Sequence, residues 1–162
     1  MPAVNSSGRI AVMKDNKMDQ ILPAVVKAVL EASTDYIFIK NSSSVYIAAS
    51  NSFARMADLD SADQVIGKTD FELFNDPEVV ERFIRDDRDV LTTGKTLGPY
   101  IERIPSAEER PRYVSTIKAP LRNEAGEIIG LYGFTHEVTR EYELKLNYDR
   151  QLRFLFELPP DA

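Results

Sequence analysis

The sequence predicts an α+β fold in which helices pack on one face of a five-stranded antiparallel sheet. Five short segments are rich in β-branched and aromatic residues, and they occur as two strands, a helical middle and three further strands. The length of 162 residues fits one domain with some additional chain at its ends. Apolar residues at 43% and charged residues at 28% are ordinary for a soluble globular protein.

The first quarter of the chain predicts an arm, a helix and a hairpin. Residues 1–16 show no sustained period and are expected to form a flexible arm. Residues 18–32 carry apolar side chains at helical spacing and predict an amphipathic helix. The segments 35–40 and 45–49 flank the turn 41–44, so they are predicted to pair as a hairpin.

The middle of the chain predicts short helical pieces. They are expected over residues 51–59, 61–66 and 69–74, with Asn51 as the N-cap of the first. Gly67 is expected to end the second piece, because glycine readily adopts the left-handed conformation that stops a helix.

A longer helix is predicted over residues 76–93. Asp76 can cap it, Pro77 suits its first position, and Gly94 ends it. Asp87 lies on the apolar stripe of this helix, where we expect it to accept hydrogen bonds from a nearby backbone turn. A catalytic role for Asp87 is the alternative. The other acidic residues of this helix indicate either a solvated face or an acid–base pair.

Three strands and a final helix complete the predicted fold. The strands are expected over residues 96–104, 111–121 and 127–138, and the turn 123–126 joins the last two as a hairpin. A helix is predicted over residues 139–156.

Composition excludes several kinds of chemistry. The chain has no cysteine, which excludes disulfides, thiolate metal sites and a cysteine nucleophile. The single histidine, His136, excludes a His–His zinc pair; it is either a haem or metal ligand or, as we expect, an outer-face residue at a strand end. A net charge of −6 argues against a nucleic-acid surface. No apolar run is long enough for a membrane span, and the protein is expected in the cytoplasm.

Several stretches, in order and with consistent gaps, resemble those of PAS domains, the sensory fold of bacterial kinases and nucleotide cyclases. They look like the opening hairpin, the "N-x-x-F" helix start, the "IGKTD…LF…D-x-x-VL-x-TG" spine, and the closing "K-x-P-L", "D/N-x-x-G" and "IIG" motifs. In this chain they are residues 35–41, 49–54, 65–74, 87–95 and 113–139. We assign residues 17–139 to the PAS domain and residues 140–162 to a C-terminal signalling or linker helix.

The resemblance implies a ligand pocket between the sheet and the long helix. Strand alternation, combined with the resemblance to flavin-binding relatives, assigns the inward-facing side chains. Gly133 on the inner face is expected to leave room for a ligand. The predicted pocket residues are Phe38, Ala48, Phe53, Val80, Phe83, Ile84, Val114, Thr116, Leu131, Gly133 and Thr135.

The family also indicates which cofactors to expect. A covalent flavin adduct and a thiol-linked chromophore both require a cysteine, which this chain lacks. Haem-binding members use a histidine from the helical middle, and residues 51–94 contain none, so haem is not expected. The identity of the ligand stays open.

Signal relay and assembly follow from the ends of the domain. The family often closes with Asp-Ile-Thr; here Glu137 and Thr139 keep an acid and a threonine at a strand-to-helix switch and are predicted to relay the signal.

Exposed apolar surface predicts a homodimer formed chiefly by the N-terminal helix. Its interface residues are expected to be Leu22, Val26, Val29, Tyr132 and Phe134.

The sequence therefore predicts a sensory module and not an enzyme. A small molecule or partner is expected to bind the pocket, and the terminal helices to carry the change to an output domain or a dimer partner. That output domain, such as a histidine kinase or a diguanylate cyclase, would belong to a longer parent protein in two-component or cyclic-nucleotide signalling. The alternatives are a non-covalent flavin or haem sensor and a small α+β enzyme with a pocket.

Overall fold

The structure, a computed structural model, describes residues 18–104 and 111–157. The predicted arm over residues 1–16 lies outside the described residues. The first helix, α1, spans Met18–Ala32, as the apolar periodicity predicted. No helix in the described ranges is long and apolar enough to cross a membrane.

Five strands form one fully antiparallel sheet, which confirms the predicted fold class. The first and last strands pair at its centre, with Phe38 opposite Gly133. The spatial order is β2-β1-β5-β4-β3. The strands are β1 (Tyr36–Asn41), β2 (Tyr46–Ala49), β3 (Leu97–Ile104), β4 (Arg112–Arg122) and β5 (Ile128–Glu137).

Short helices connect β2 to the long helix. Helix α2 spans Asn51–Met56, a 3-10 turn covers Ala62–Gln64, and α3 spans Asp70–Leu73. The predicted N-cap was wrong by one residue: the hydroxyl of Ser50, not the side chain of Asn51, accepts a hydrogen bond from the Phe53 amide at 3.2 Å. Both predicted helices before residue 67 were too long: α2 ends at Met56, before Asp58 adopts positive φ, and the second piece is the three-residue 3-10 turn. Gly67 has the left-handed φ expected of it, 83°.

The long helix α4 spans Pro77–Thr93, and its end signals act as predicted. The Asp76 carboxylate accepts hydrogen bonds from the amides of Glu78 and Val79, at 3.0 and 3.3 Å. Gly94 ends the helix in the left-handed conformation, with φ of 65°. The last helix, α5, spans Thr139–Glu157 and leaves the sheet directly after β5.

The core lies between the inner face of the sheet and the helices α2 to α4. Its centre is aromatic: the rings of Phe38, Tyr46 and Phe53 pack with centroids 5.3–5.9 Å apart. Phe74 and Phe83 extend this packing towards α4. The aromatic cluster therefore joins the sheet to the helical layer and surrounds the site described next.

Candidate ligand-binding site

A small enclosed cavity lies between the inner face of the sheet and α4. Its volume is about 30 Å³, which is room for about two water molecules. Aromatic rings and buried polar groups both contribute to its wall. The lining residues are Tyr36, Phe38, Lys40, Tyr46, Phe53, Met56, Asp70, Phe83, Glu102, Ile104, Thr116, Lys118 and Thr135.

Three of the lining residues, Lys40, Asp70 and Lys118, form a cluster of four buried charged groups together with Asp87. The ammonium of Lys40 lies 2.6 Å from a carboxylate oxygen of Asp70 and 2.5 Å from one of Asp87. The ammonium of Lys118 donates to the other Asp87 oxygen at 2.7 Å. All four side chains are almost completely buried. The cluster joins β1, β4, α3 and α4 at one point in the core.

Aromatic groups surround this cluster. The hydroxyl of Tyr46 donates a hydrogen bond of 2.6 Å to Asp70, and the Lys40 ammonium lies 4.5 Å from the centre of the Tyr46 ring. Burial, followed by the nearby charge of Asp70, raises the pKa of Tyr46 well above its usual value. Tyr46 therefore keeps its proton and acts as a donor. The Lys118 ammonium lies 5.2 Å from the centre of the Phe83 ring.

Opposite charges balance within the cluster, which contains two lysines and two aspartates. An isolated charge in an apolar interior is strongly unfavourable, and pairing with hydrogen bonds offsets that cost. Here Asp87 uses both carboxylate oxygens and Asp70 uses both of its own. The carboxylates are therefore fully engaged by donors within the protein.

A third buried carboxylate, that of Glu102, also lines the cavity. One of its oxygens accepts a hydrogen bond of 2.7 Å from Thr116, whose hydroxyl also lies 3.2 Å from that of Thr135. The other oxygen is 2.9 Å from a terminal nitrogen of Arg82. That oxygen is buried and has no well-aligned hydrogen bond within the described residues, so the ion pair leaves it able to accept one.

A hydrogen-bond path leads from the cavity wall to the start of α5. The Tyr36 hydroxyl donates to Glu137 at 3.1 Å and accepts from Arg112, which also forms an ion pair of 2.6 Å with Glu137. The hydrogen bond from Arg112 lowers the pKa of Glu137, which favours its charged form. The hydroxyl of Thr139, the first residue of α5, donates to Glu137 at 3.1 Å.

The packing of α5 against the sheet continues this path. The amide of Tyr113 donates to the Thr139 hydroxyl at 2.9 Å, and the Tyr113 ring packs on Tyr142 of α5 at a centroid distance of 4.5 Å. The cavity wall and the last helix are therefore connected through side chains in direct contact.

The outer face of the sheet presents an apolar groove beside α1. Its volume is about 210 Å³, and Val26, Val29, Tyr132 and Phe134 are among its lining residues. The apolar side of α1 remains accessible: Leu22 is 51% exposed, Val26 44% and Val29 52%. The helix and the sheet together therefore present apolar surface that the described residues leave uncovered.

His136 lies at the outer-face end of β5, in agreement with the outward orientation predicted for it. Its Nδ1 atom is 2.6 Å from the Asp35 carboxylate, and its side chain is 68% exposed. The hydrogen bond with Asp35 raises the pKa of His136 above its usual value. Within the described ranges, no group of three or more His, Cys, Asp or Glu side chains is arranged to hold a metal ion.

Comparison with known proteins decides the family. The PAS-fold family model matches residues 30–143, which is most of the chain. The chain belongs to the PAS family. A search of curated proteins found no match.

Solved structures with the PAS fold are similar to this domain in architecture. VqmA bound to DPO has 23% sequence identity and a TM-score of 0.61, over 71% of this chain and 57% of that chain. The Vibrio cholerae VqmA dimer has 24% identity and a TM-score of 0.61, over 72% and 51%. The PAS domain of BvgS from Bordetella pertussis has 17% identity and a TM-score of 0.56, over 84% and 99%. The chain thus spans about half the length of the VqmA structures.

Five of the eleven predicted pocket residues line the PAS cavity: Phe38, Phe53, Phe83, Thr116 and Thr135. Val80, Val114 and Leu131 are buried in the core but are not part of the cavity wall. Ala48 lines a groove beside α1, and Ile84 lines a surface groove beside Arg88, so neither reaches the cavity. Their ligand-binding role was predicted from family resemblance, which does not resolve individual side-chain directions.

The space expected above Gly133 is already filled. A Cβ atom on this residue would lie 2.2 Å from the ring of Phe38, its partner across the strand pair. Gly133 faces inward as predicted, but it allows the Phe38 ring to lie against the sheet instead of leaving room for a ligand. The expectation of open space at Gly133 was therefore wrong.

Sequence reasoning missed most of the polar wall, namely Lys40, Asp70, Glu102 and Lys118. A signal was present for the lysines: Lys40 shares the inward alternation of Tyr36 and Phe38, as Lys118 shares that of Thr116. The partner predicted for Asp87 was also wrong, because its carboxylate accepts hydrogen bonds from two lysine ammonium groups and not from a backbone turn.

Proposed function

We propose that this PAS domain is the sensory module of a signal-transduction protein and binds a small molecule in the cavity beneath α4. The observation that carries the proposal is the cavity wall, in which aromatic rings surround a few convergent polar groups. Such walls are typical of small-molecule sites. The likeness in fold to VqmA, which has been solved bound to DPO, supports this reading.

The small volume favours a compact ligand over flavin or haem. A cavity of about 30 Å³ must enlarge even for a single ring, and the flexible side chain of Met56 is the part of its wall best able to move. His136, the only histidine, lies on the other face of the sheet and is bound to Asp35. A haem ligand from that position would not face the cavity.

We further propose that the domain is not itself an enzyme. A general base needs a carboxylate that can reach its substrate and exchange a proton. Asp70 and Asp87 are instead held by lysines at 2.5–2.7 Å, which leaves neither carboxylate free to reach a substrate. This pairing favours a binding role over the alternative of a small pocketed enzyme.

The relay that we propose runs from Tyr36 in the cavity wall through Glu137 to Thr139 and α5. A ligand that shifts the Tyr36 ring changes the hydroxyl's bond to Glu137, and Glu137 also holds the first residue of α5. The output domain, such as a histidine kinase or a diguanylate cyclase, would follow in a longer cytoplasmic parent protein. For this chain, the lack of a nucleic-acid partner stays a prediction, whereas the Vibrio cholerae VqmA dimer has a target DNA.

The apolar side of α1 supports the proposal of a homodimer. Covering such a face is favourable at about 25 cal/mol per Å² of apolar area, before the cost of association is subtracted. Replacing both Val26 and Val29 by Glu should yield a folded monomer, whereas the unchanged chain should scatter light as a dimer. A wild-type monomer at tens of micromolar would count against this assembly.

Ligand binding can be tested through Met56. Met56 is the methionine of the described residues that lines the cavity, so methyl-labelled protein provides a local NMR reporter. A compound that enters, with DPO among those tried, should shift the Met56 signal and raise the unfolding temperature. Thr135→Leu, which fills the cavity, should remove both effects, and Thr92→Leu on the exposed side of α4 should retain them. A set of small ring compounds that leaves Met56 unchanged at millimolar concentrations would refute the proposal.

A further inference from the structure

We propose that the cavity selects an uncharged, planar small molecule that donates an N–H or O–H hydrogen bond to Glu102. This inference rests on the proposed function, because it names the chemistry of the ligand for the same site.

The charge balance of the wall argues for a neutral ligand. Lys40 and Lys118 are matched by Asp70 and Asp87 within one cluster. Glu102 is matched by Arg82 at 2.9 Å. Each buried charge thus has its partner inside the protein. A charged ligand would add a charge that nothing in the wall compensates, and it would lose most of its hydration on entering so small a cavity.

Glu102 lines the cavity, and its hydrogen bonds are incomplete within the described residues. Its side chain is 7% exposed, and one oxygen accepts from Thr116. The second oxygen is buried and lacks an aligned donor, although the Arg82 guanidinium lies close to it. A buried acceptor without a hydrogen bond raises the free energy of the folded protein. A ligand that donates a hydrogen bond to this atom removes that cost, which adds to its binding free energy. An amide or a hydroxyl on a ring provides such a donor without a charge.

The remaining wall favours a flat molecule. Tyr36, Phe38, Phe53 and Phe83 present ring surfaces, which pack well against another ring. The available 30 Å³ is too small for a ring until a side chain moves, and Met56, unbranched and flexible, can withdraw without breaking a hydrogen bond of the wall.

Three compounds of one shape test the charge preference: benzamide is neutral, benzoate is an anion and benzamidine is a cation at neutral pH. Each is titrated into the full chain while the Met56 methyl signal is followed. Benzamide should bind at least about tenfold more tightly than either charged analogue. If benzoate or benzamidine binds as tightly as benzamide, the inference is wrong while ligand binding in the cavity stands. If none of the three shifts Met56, both this inference and the proposed site are overturned.

Two variants test the role of Glu102: one removes its negative charge, and the other removes the positive charge of its partner Arg82. Glu102→Gln leaves the positive charge of Arg82 without its partner. Benzamide should then bind more weakly, and the affinity of benzoate should rise relative to that of benzamide. Arg82→Gln, at a side chain that is 36% exposed and therefore tolerant of change, should shift the preference towards benzamidine. Glu81→Gln, the exposed neighbour on α4, should leave the order of the three unchanged. An unchanged order in both Glu102→Gln and Arg82→Gln would refute the assignment of Glu102.

Discussion

Asp87 provides the sharpest test of the buried charge cluster. Asp87→Asn keeps the shape of the side chain but removes the negative charge that holds two lysines. The carboxylate is fully buried, 2.5 Å from Lys40 and 2.7 Å from Lys118. After the change, Asp70 is the one carboxylate of the described residues left for both ammonium groups, so the core contains an uncompensated positive charge.

Breaking a buried ion pair in this way costs about 3–5 kcal/mol. Since a domain has roughly 5–15 kcal/mol of stability in total, this loss is a large fraction of it. With a urea dependence of about 2 kcal/mol per molar, the unfolding midpoint should fall by about 1.5–2.5 M. Far-UV circular dichroism can follow the transition, because the chain has no tryptophan to report it by fluorescence.

A second change distinguishes charge from packing. Adding Lys118→Met to Asp87→Asn leaves Lys40 with Asp70, which is again a neutral pair. The double variant should therefore be more stable than the single one by about 1 kcal/mol or more. Asp89→Asn, at an exposed position two residues along α4, should change stability by less than about 0.5 kcal/mol. A cost below about 1 kcal/mol for Asp87→Asn, or a double variant no more stable than the single, would refute the reasoning.

Three further changes follow from contacts elsewhere in the domain. Asp35→Asn should lower the pKa of His136, measured by NMR titration. Because that pKa is raised in the folded protein, the stability due to the pair should be complete below the unfolded pKa of about 6.5 and disappear as the pH rises through the folded value. Gly133→Ala should cost about 1–3 kcal/mol in urea unfolding, because its Cβ meets the Phe38 ring, and Phe38→Leu should reduce that cost. Asp76→Ala should cost about 1 kcal/mol in the same assay through loss of the α4 cap.

Local patterns were sufficient to predict most helices and strands of the fold. The apolar period of α1 gave both of its ends, and Asp76 with Gly94 marked the ends of α4, because capping depends on residues close in sequence. Hairpin signals likewise predicted the pairing of β4 with β5. The pairing of β1 with β5 was not predicted, since residues about 95 positions apart carry no local signal for each other.

The site was harder to predict because its polar groups are paired across the fold. A lysine is usually exposed, so Lys40 and Lys118 did not count as core residues although both lie on inward-facing positions of their strands. Their burial depends on Asp70 and Asp87, which come from two helices elsewhere in the sequence. Spacing along the chain gave no sign of those partners. The expectation of open space at Gly133 was wrong for a similar reason, because the Phe38 ring that fills this space belongs to another strand.

The closed charge cluster also affects how this domain can diverge. If one of its four members is replaced by an apolar residue, a buried charge remains without a partner, although replacing all four together can be neutral or favourable. The path between a charged and an apolar core at these positions therefore passes through intermediates less stable than either end. Lineages are expected to keep Lys40, Asp70, Asp87 and Lys118 as a set or to lack them as a set, so that the four positions are inherited as one trait.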